Sequence, residues 1–207
     1  MSGTTITMID YGASNIRSAY KAFEHVGARV ELTGDPDVVR RASKLVLPGV
    51  GAFGAGMSAL RERGLDTAVR DAVTAGVPLL GICLGMQFLL EESDEMGRFE
   101  GLGFIAGRVT RFDFSDQQLK VPHMGWNQIE HTEDHPLLNN VPSGAFAYFV
   151  HSYYCVPEVK EDIVATTMYG GPFTSIVSRA NVHGIQFHPE KSQKHGLQLL
   201  RNYFELF

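Results

Sequence analysis

Cys83 stands in the run Gly81-Ile82-Cys83-Leu84-Gly85, at the end of a strand-like segment, 77–82, and at the start of an apolar helical segment, 84–90. A cysteine at the sharp turn between a strand and a helix has the layout of a nucleophile elbow. Gly81 and Gly85 let such a turn close, and the helix start aims main-chain N–H groups and a positive dipole end at the thiol. Both effects favour the thiolate, the form that attacks carbonyl carbon. A free cysteine is otherwise a small buried apolar residue, so the elbow needs a base to carry chemistry. His188-Pro189-Glu190, just after the segment 182–187, offers a base and an acid to orient it. Standing alone, that tripeptide would read as a solvated pair at a strand end; it takes on a role by completing the elbow.

Other segments could build the rest of a site. Pro48-Gly49-Val50-Gly51-Ala52-Phe53-Gly54 matches the spacing of a dinucleotide-binding loop at Gly49, Gly51 and Gly54. That reading fails, because the fingerprint belongs to the first strand and needs an acidic residue ending the next one, where this chain has Gly81-Ile82-Cys83. A glycine-rich turn beside an elbow does expose main-chain N–H groups, and it could supply one half of an oxyanion hole with the Leu84 N–H as the other. Tyr148-Phe149-Val150-His151-Ser152-Tyr153-Tyr154 places polar groups at the end of an apolar strand, a suitable wall for a small polar substrate. Alternation alone would make its aromatics core, and His151 a satisfied structural histidine. The histidines show no metal-ligand spacing, and neither Cys83 nor Cys155 belongs to a C-x-x-C pair.

Positioning these groups requires a sheet. Residues 5–10, 28–32, 44–47 and 77–82 read as strands separated by helices, which implies parallel pairing. Asp35-Pro36 marks a helix start and Gly64 a helix end. Beyond Gly97 the runs 107–112, 126–131, 146–150, 163–169, 175–178 and 182–187 follow one another without long helices, as antiparallel additions do. Leu197, Leu200, Phe204 and Phe207 then share a helical face. The expected fold is a three-layer α/β/α open sheet, flavodoxin-like, mostly parallel with antiparallel additions in the C-terminal half, and residues 1–207 read as one domain.

Composition narrows the function. With 18 Lys+Arg against 23 Asp+Glu, a net charge of −5 and no basic run, the chain is not built to neutralise many phosphates, which excludes nucleic-acid binding. The segment 75–90 is broken by glycine and proline and is shorter than the ~20 residues that span a bilayer. The N-terminal residues lack the pattern of a signal peptide, so a cytoplasmic location is expected.

Taken together, these motifs make the chain resemble the class I, or triad, glutamine amidotransferases, and within them the glutaminase subunits of imidazole glycerol phosphate synthases. The resemblance runs nearly end to end. It rests on Asp10-Tyr11-Gly12 with Asn15-Ile16, the Pro48–Phe53 turn, the elbow continued by Met86-Gln87, Pro122-His123-Met124-Gly125-Trp126-Asn127, Tyr148 to Tyr153, and Gly184 to Ser192. It implies Cys83 as nucleophile, His188 as general base and acid, and Glu190 as the residue that orients His188. Leu84 N–H with Val50 or Gly51 N–H would form the oxyanion hole. Glutamine would lie against Gly51, Gln87, Glu95, His151, Ser152 and Tyr153, while Asn15, Tyr148 and Lys191 would face a partner near the entrance for ammonia. It further implies no metal or organic cofactor, and a (βα)8-barrel cyclase partner in a heterodimer serving histidine biosynthesis. The alternatives are a class I glutaminase of another synthase and an idle regulatory subunit of the same fold.

Overall fold

The computed structural model describes residues 5–13, 16–114, 119–132 and 134–207. The first half alternates strand and helix: β1 (Thr5–Ile9), α1 (Ile16–His25), β2 (Arg29–Thr33), α2 (Pro36–Arg40), β3 (Lys44–Gly49), α3 (Phe53–Glu62), α4 (Leu65–Thr74) and β4 (Leu79–Cys83). The chain then passes into the single turn α5 (Leu84–Gln87), followed by β5 (Leu90–Ser93), β6 (Phe99–Glu100), β7 (Ile105–Arg111), β8 (His123–Ile129) and β9 (Ala145–His151). It ends with β10 (Tyr153–Pro157), β11 (Ile163–Met168), β12 (Pro172–Arg179), β13 (Val182–Ile185) and α6 (Gln193–Leu206).

The main sheet runs β2-β1-β3-β4-β13-β12-β10-β7-β5-β6, with β11 on β12. Pairing is parallel from β2 through β13 and antiparallel across β13–β12, β12–β10 and β10–β7. That is the expected division, a parallel half with antiparallel additions. The parallel strands are apolar on both faces because both are covered. Ile6, Met8, Val46, Leu80 and Ile82 pack in a core with α1 and α6, while the alternate residues Ile9, Leu45, Leu47 and Leu79 pack in a second core with α3 and α4. β8 and β9 form a separate antiparallel ribbon that pairs His123 with His151.

Two local helix signals hold. Asp35 Oδ1 accepts the Asp37 N–H at 2.8 Å and opens α2 with Pro36 in its first turn. Gly64 N–H donates to Arg61 O at 3.0 Å at the close of α3. Three expectations are corrected. The helix after the elbow lasts one turn instead of continuing to residue 90. Past Gln87 the chain finds other partners: Phe88 O accepts from Leu102 N–H and Leu90 O from Gly103 N–H. The strands β5, β6 and β10 lie outside the runs read as strands, β10 because its aromatic start reads as a continuation of β9. The buried face of α6 centres on Leu199, Leu200 and Tyr203, leaving Leu197, Phe204 and Phe207 at its margin. Tyr203 decides that rotation, since its one hydroxyl proton is shared between Leu45 O in β3 and Pro78 O just before β4. Among the described residues, no helix is long and apolar enough to cross a membrane.

Candidate active site

Cys83 ends β4 with φ 56° and ψ −112°, a conformation that L-residues rarely adopt and that marks a strained turn. Close backbone approach holds it there. A Cβ on Gly85 would lie 1.8 Å from Leu47 O, and one on Gly81 2.5 Å from Gly85 O, so only glycine allows α5 to fold back on β3 and β4. The result aims the Cys83 side chain off the carboxyl ends of the parallel strands, where open α/β sheets bind ligands.

His188 arrives from the neighbouring strand. Beyond β13 the chain bends, and His188 N–H donates to Tyr148 O on β9 at 2.9 Å. Ser192 clamps the same point: its hydroxyl donates to His188 O at 2.6 Å and accepts the Tyr148 N–H at 3.0 Å. Pro189 starts a short 3-10 turn, which carries Glu190 back under the imidazole. His188 Nδ1 lies 2.8 Å from Glu190 Oε1, and both side chains are only 4% exposed. The other ring nitrogen is not used by Glu190, and His188 lines the same cavity as Cys83. Burial alone would lower the His188 pKa; hydrogen bonds to Cys83 and Glu190, with their charges, outweigh it and raise the value to about 10. Cys83, His188 and Glu190 thus form one line from sulfur to carboxylate.

This line borders a cavity of about 380 Å³. Val50, Gly51, Leu84, Gln87, Glu95, His151, Ser152 and Tyr153 all line it with Cys83 and His188, and Glu190 sits behind. Pro122 and Val150 complete the wall. Glu95 Oε2 accepts the Phe53 N–H at 2.7 Å, which ties the carboxylate to the first turn of α3 and leaves Oε1 for the cavity. Gln87 Nε2 donates to Tyr153 O and to Gln186 Oε1, both at 3.1 Å, so Oε1 is the polar atom Gln87 has left.

His151 has a structural role although it lines the cavity. Its Nδ1 donates to Tyr153 O at 2.8 Å, so Nε2 must accept from His123 Nδ1 at 3.0 Å, and His123 Nε2 accepts from Asn127 Nδ2 at 3.2 Å. Every ring nitrogen of the pair is used. Burial pulls His123 down to about 4 and His151 to about 3, so both are neutral near pH 7. Outside the cavity, Lys191 Nζ stands 5.7 Å from the centroid of the Tyr148 ring, which Trp126 meets edge-on at 6.0 Å. Asn15 lies outside the described residues.

Ser192, His123 and Gln186 are the site-supporting residues that sequence reasoning had not singled out. A signal for Gln186 exists: it stands two positions before His188, and alternate residues of an extended chain share a face.

The family model described as Glutamine amidotransferase class-I matches residues 7–206. The chain belongs to the class-I glutamine amidotransferase family. Among similar proteins, the imidazole glycerol phosphate synthase subunit HisH of Salinibacter ruber is 52% identical, covering 97% of this chain and 94% of that one. The protein of the same name from Syntrophotalea carbinolica is 50% identical over 97% of this chain and 100% of its own. The fold is also that of solved structures at low identity. A glutamine amidotransferase crystal structure superposes with a TM-score of 0.76 at 19% identity, covering 97% of each chain. A chain of the PurLQS structure from Thermotoga maritima gives 0.76 at 19%, covering 99% of this amidotransferase and 98% of that chain.

Proposed function

We propose that this amidotransferase is the glutaminase subunit of an imidazole glycerol phosphate synthase, with residues 1–207 as its single domain and the cytoplasm as its location. The observation that carries the chemistry is the buried line of Cys83, His188 and Glu190 along one wall of the cavity. The synthase is inferred from the relatives that share about half of its residues and bear that name.

His188 takes the Cys83 proton, and the sulfur attacks the side-chain carboxamide carbon of glutamine. Negative charge then develops on the carboxamide oxygen, beside the Leu84 N–H and the N–H of Val50 or Gly51, which serve as the oxyanion hole. Collapse breaks the C–N bond while His188 returns its proton to the departing ammonia, leaving a γ-glutamyl thioester on Cys83. Water, deprotonated by the same histidine, hydrolyses the thioester to glutamate and restores the thiol. Glu190 keeps Nδ1 protonated and offsets the imidazolium charge at each stage. Glu95 Oε1 would meet the α-ammonium of glutamine, with Ser152 and Tyr153 also in contact with the substrate, a reading supported by their places on the cavity wall. No cofactor takes part.

The ammonia requires an acceptor, and we assign that role to a (βα)8-barrel cyclase subunit in a heterodimer. Support for a docking face comes from the ribbon β8–β9, which exposes Met124, Trp126 and Phe146 beside Tyr148 and Lys191. In the assembled complex, Cys83→Ala should abolish glutamine-dependent product formation and spare turnover supplied with ammonium salt. Loss of both, with the complex still intact, would contradict the assignment.

A further inference from the structure

Gln186 is fully buried where the chain leaves β13, and its main-chain N–H donates to Ser175 O at 2.9 Å. Its side-chain amide has no part in the thioester steps that Cys83, His188 and Glu190 carry out. The direction of that amide is fixed from the far end of a chain of bonds. A main-chain carbonyl only accepts, so Gln87 must present its nitrogen to Tyr153 O. The second N–H on that nitrogen goes to the Gln186 side-chain oxygen. Gln186 therefore turns its own nitrogen the other way, toward Cys83, where Nε2 lies 3.9 Å from Sγ. The oxygen and nitrogen ends of both amides are thus settled by one backbone oxygen.

We propose that Gln186 is a catalytic residue: its side-chain N–H donates to the sulfur of Cys83 and favours the thiolate over the thiol. This rests on the glutaminase reading and adds a residue to it. A sulfur anion accepts an amide N–H far better than a neutral thiol does, so a fixed donor shifts the equilibrium toward the charged form. The S–H bond breaks, the proton moves to the free ring nitrogen of His188, and no bond to Gln186 forms or breaks.

The test is the rate of Cys83 alkylation by iodoacetamide between pH 5 and 10, followed by mass spectrometry of the full chain. Wild type is compared with Gln186→Met and Gln186→Glu. Methionine keeps the volume without a strong donor, and the acid limb of its profile should move up by about 0.5 to 1 pH unit. The carboxylate of Gln186→Glu would donate nothing when ionised and would repel the thiolate, so the limb of that variant should move further. The alkaline plateau should match wild type in both, because the sulfur is ionised there regardless. A packing role would lower the rate equally at every pH and leave the midpoint in place, which overturns the proposal. If neither variant folds, the side-chain amide resonances of Gln186 in the wild-type protein should titrate with Cys83; resonances that stay fixed overturn it too. Glutamate release by wild type in the presence of the cyclase subunit keeps the two ideas apart. Its absence removes the glutaminase reading, whereas an unmoved midpoint with release intact removes only the role of Gln186.

Discussion

Glu190→Gln removes one charge and keeps the shape of the group behind His188. The bond it changes is short, 2.8 Å between His188 Nδ1 and Glu190 Oε1, and both side chains are 4% exposed, so solvent screens little of it. A hydrogen bond to a charged partner contributes ~1.5–3 kcal/mol, a neutral one ~0.5–1.5 kcal/mol, so the swap should cost the imidazolium-bearing transition states about 1–2 kcal/mol. At 25 °C that is roughly a 5- to 30-fold loss in kcat/KM. Glu190→Ala should be worse, since it leaves the Nδ1 proton buried without an acceptor. The loss should also depend on pH. Cys83 and Glu190 together hold His188 up near 10 against the effect of burial, so removing one of the two charges brings the alkaline limb of the rate down toward neutrality. Glutamate release by the assembled complex between pH 6 and 9 measures both effects. A Glu190→Gln enzyme within twofold of wild type, with an unmoved alkaline limb, would show that the carboxylate does not support the histidine in this way.

Gly85→Ala should damage catalysis more than its size suggests: its Cβ would meet Leu47 O at 1.8 Å, forcing the elbow and β3 apart by about 1 Å. A shift of that size costs on the order of 100-fold in rate. The overpacking itself costs ~1–3 kcal/mol of stability, readable as a lower urea midpoint. Ser192→Ala removes the hydroxyl that joins His188 O to the Tyr148 N–H, and a loss of about 1 kcal/mol in unfolding free energy with a reduced kcat should follow. Stability should fall on both sides of about pH 6.5. Burial holds His123 near 4 and His151 and His183 near 3, so the unfolded chain binds more protons in acid and stability drops as pH falls from 6.5 toward 4. His188, raised to about 10, binds its proton more tightly when folded, so its contribution is complete below 6.5 and is lost as pH rises toward 10. A urea midpoint that stays level from pH 4.5 to 6.5 would contradict the acid side.

What the sequence disclosed was what adjacent residues determine. Asp35-Pro36, the glycines flanking Cys83, and the two-residue step from His188 to Glu190 each act over a few bonds, and the structure realises all three. The alternation of strands and helices gave the parallel half for the same reason. Contacts between distant residues were not readable. Gln87 and Gln186 are 99 residues apart and meet only because β4 and β13 are neighbours. His123 meets His151 through the register of β8 and β9, strands separated in sequence by residues 130–144. The short α5 and the rotated face of α6 reflect tertiary bonds overriding local pattern, from residues 102 and 103 in one case and from Tyr203 in the other.

The most direct measurement is glutamate release from glutamine by this chain mixed with a candidate cyclase subunit, with and without that subunit's nucleotide substrate, for wild type and Cys83→Ala. Release that requires Cys83 and rises strongly when the partner is loaded is the expected result. Release that is unchanged in Cys83→Ala, or absent from every mixture, would contradict it.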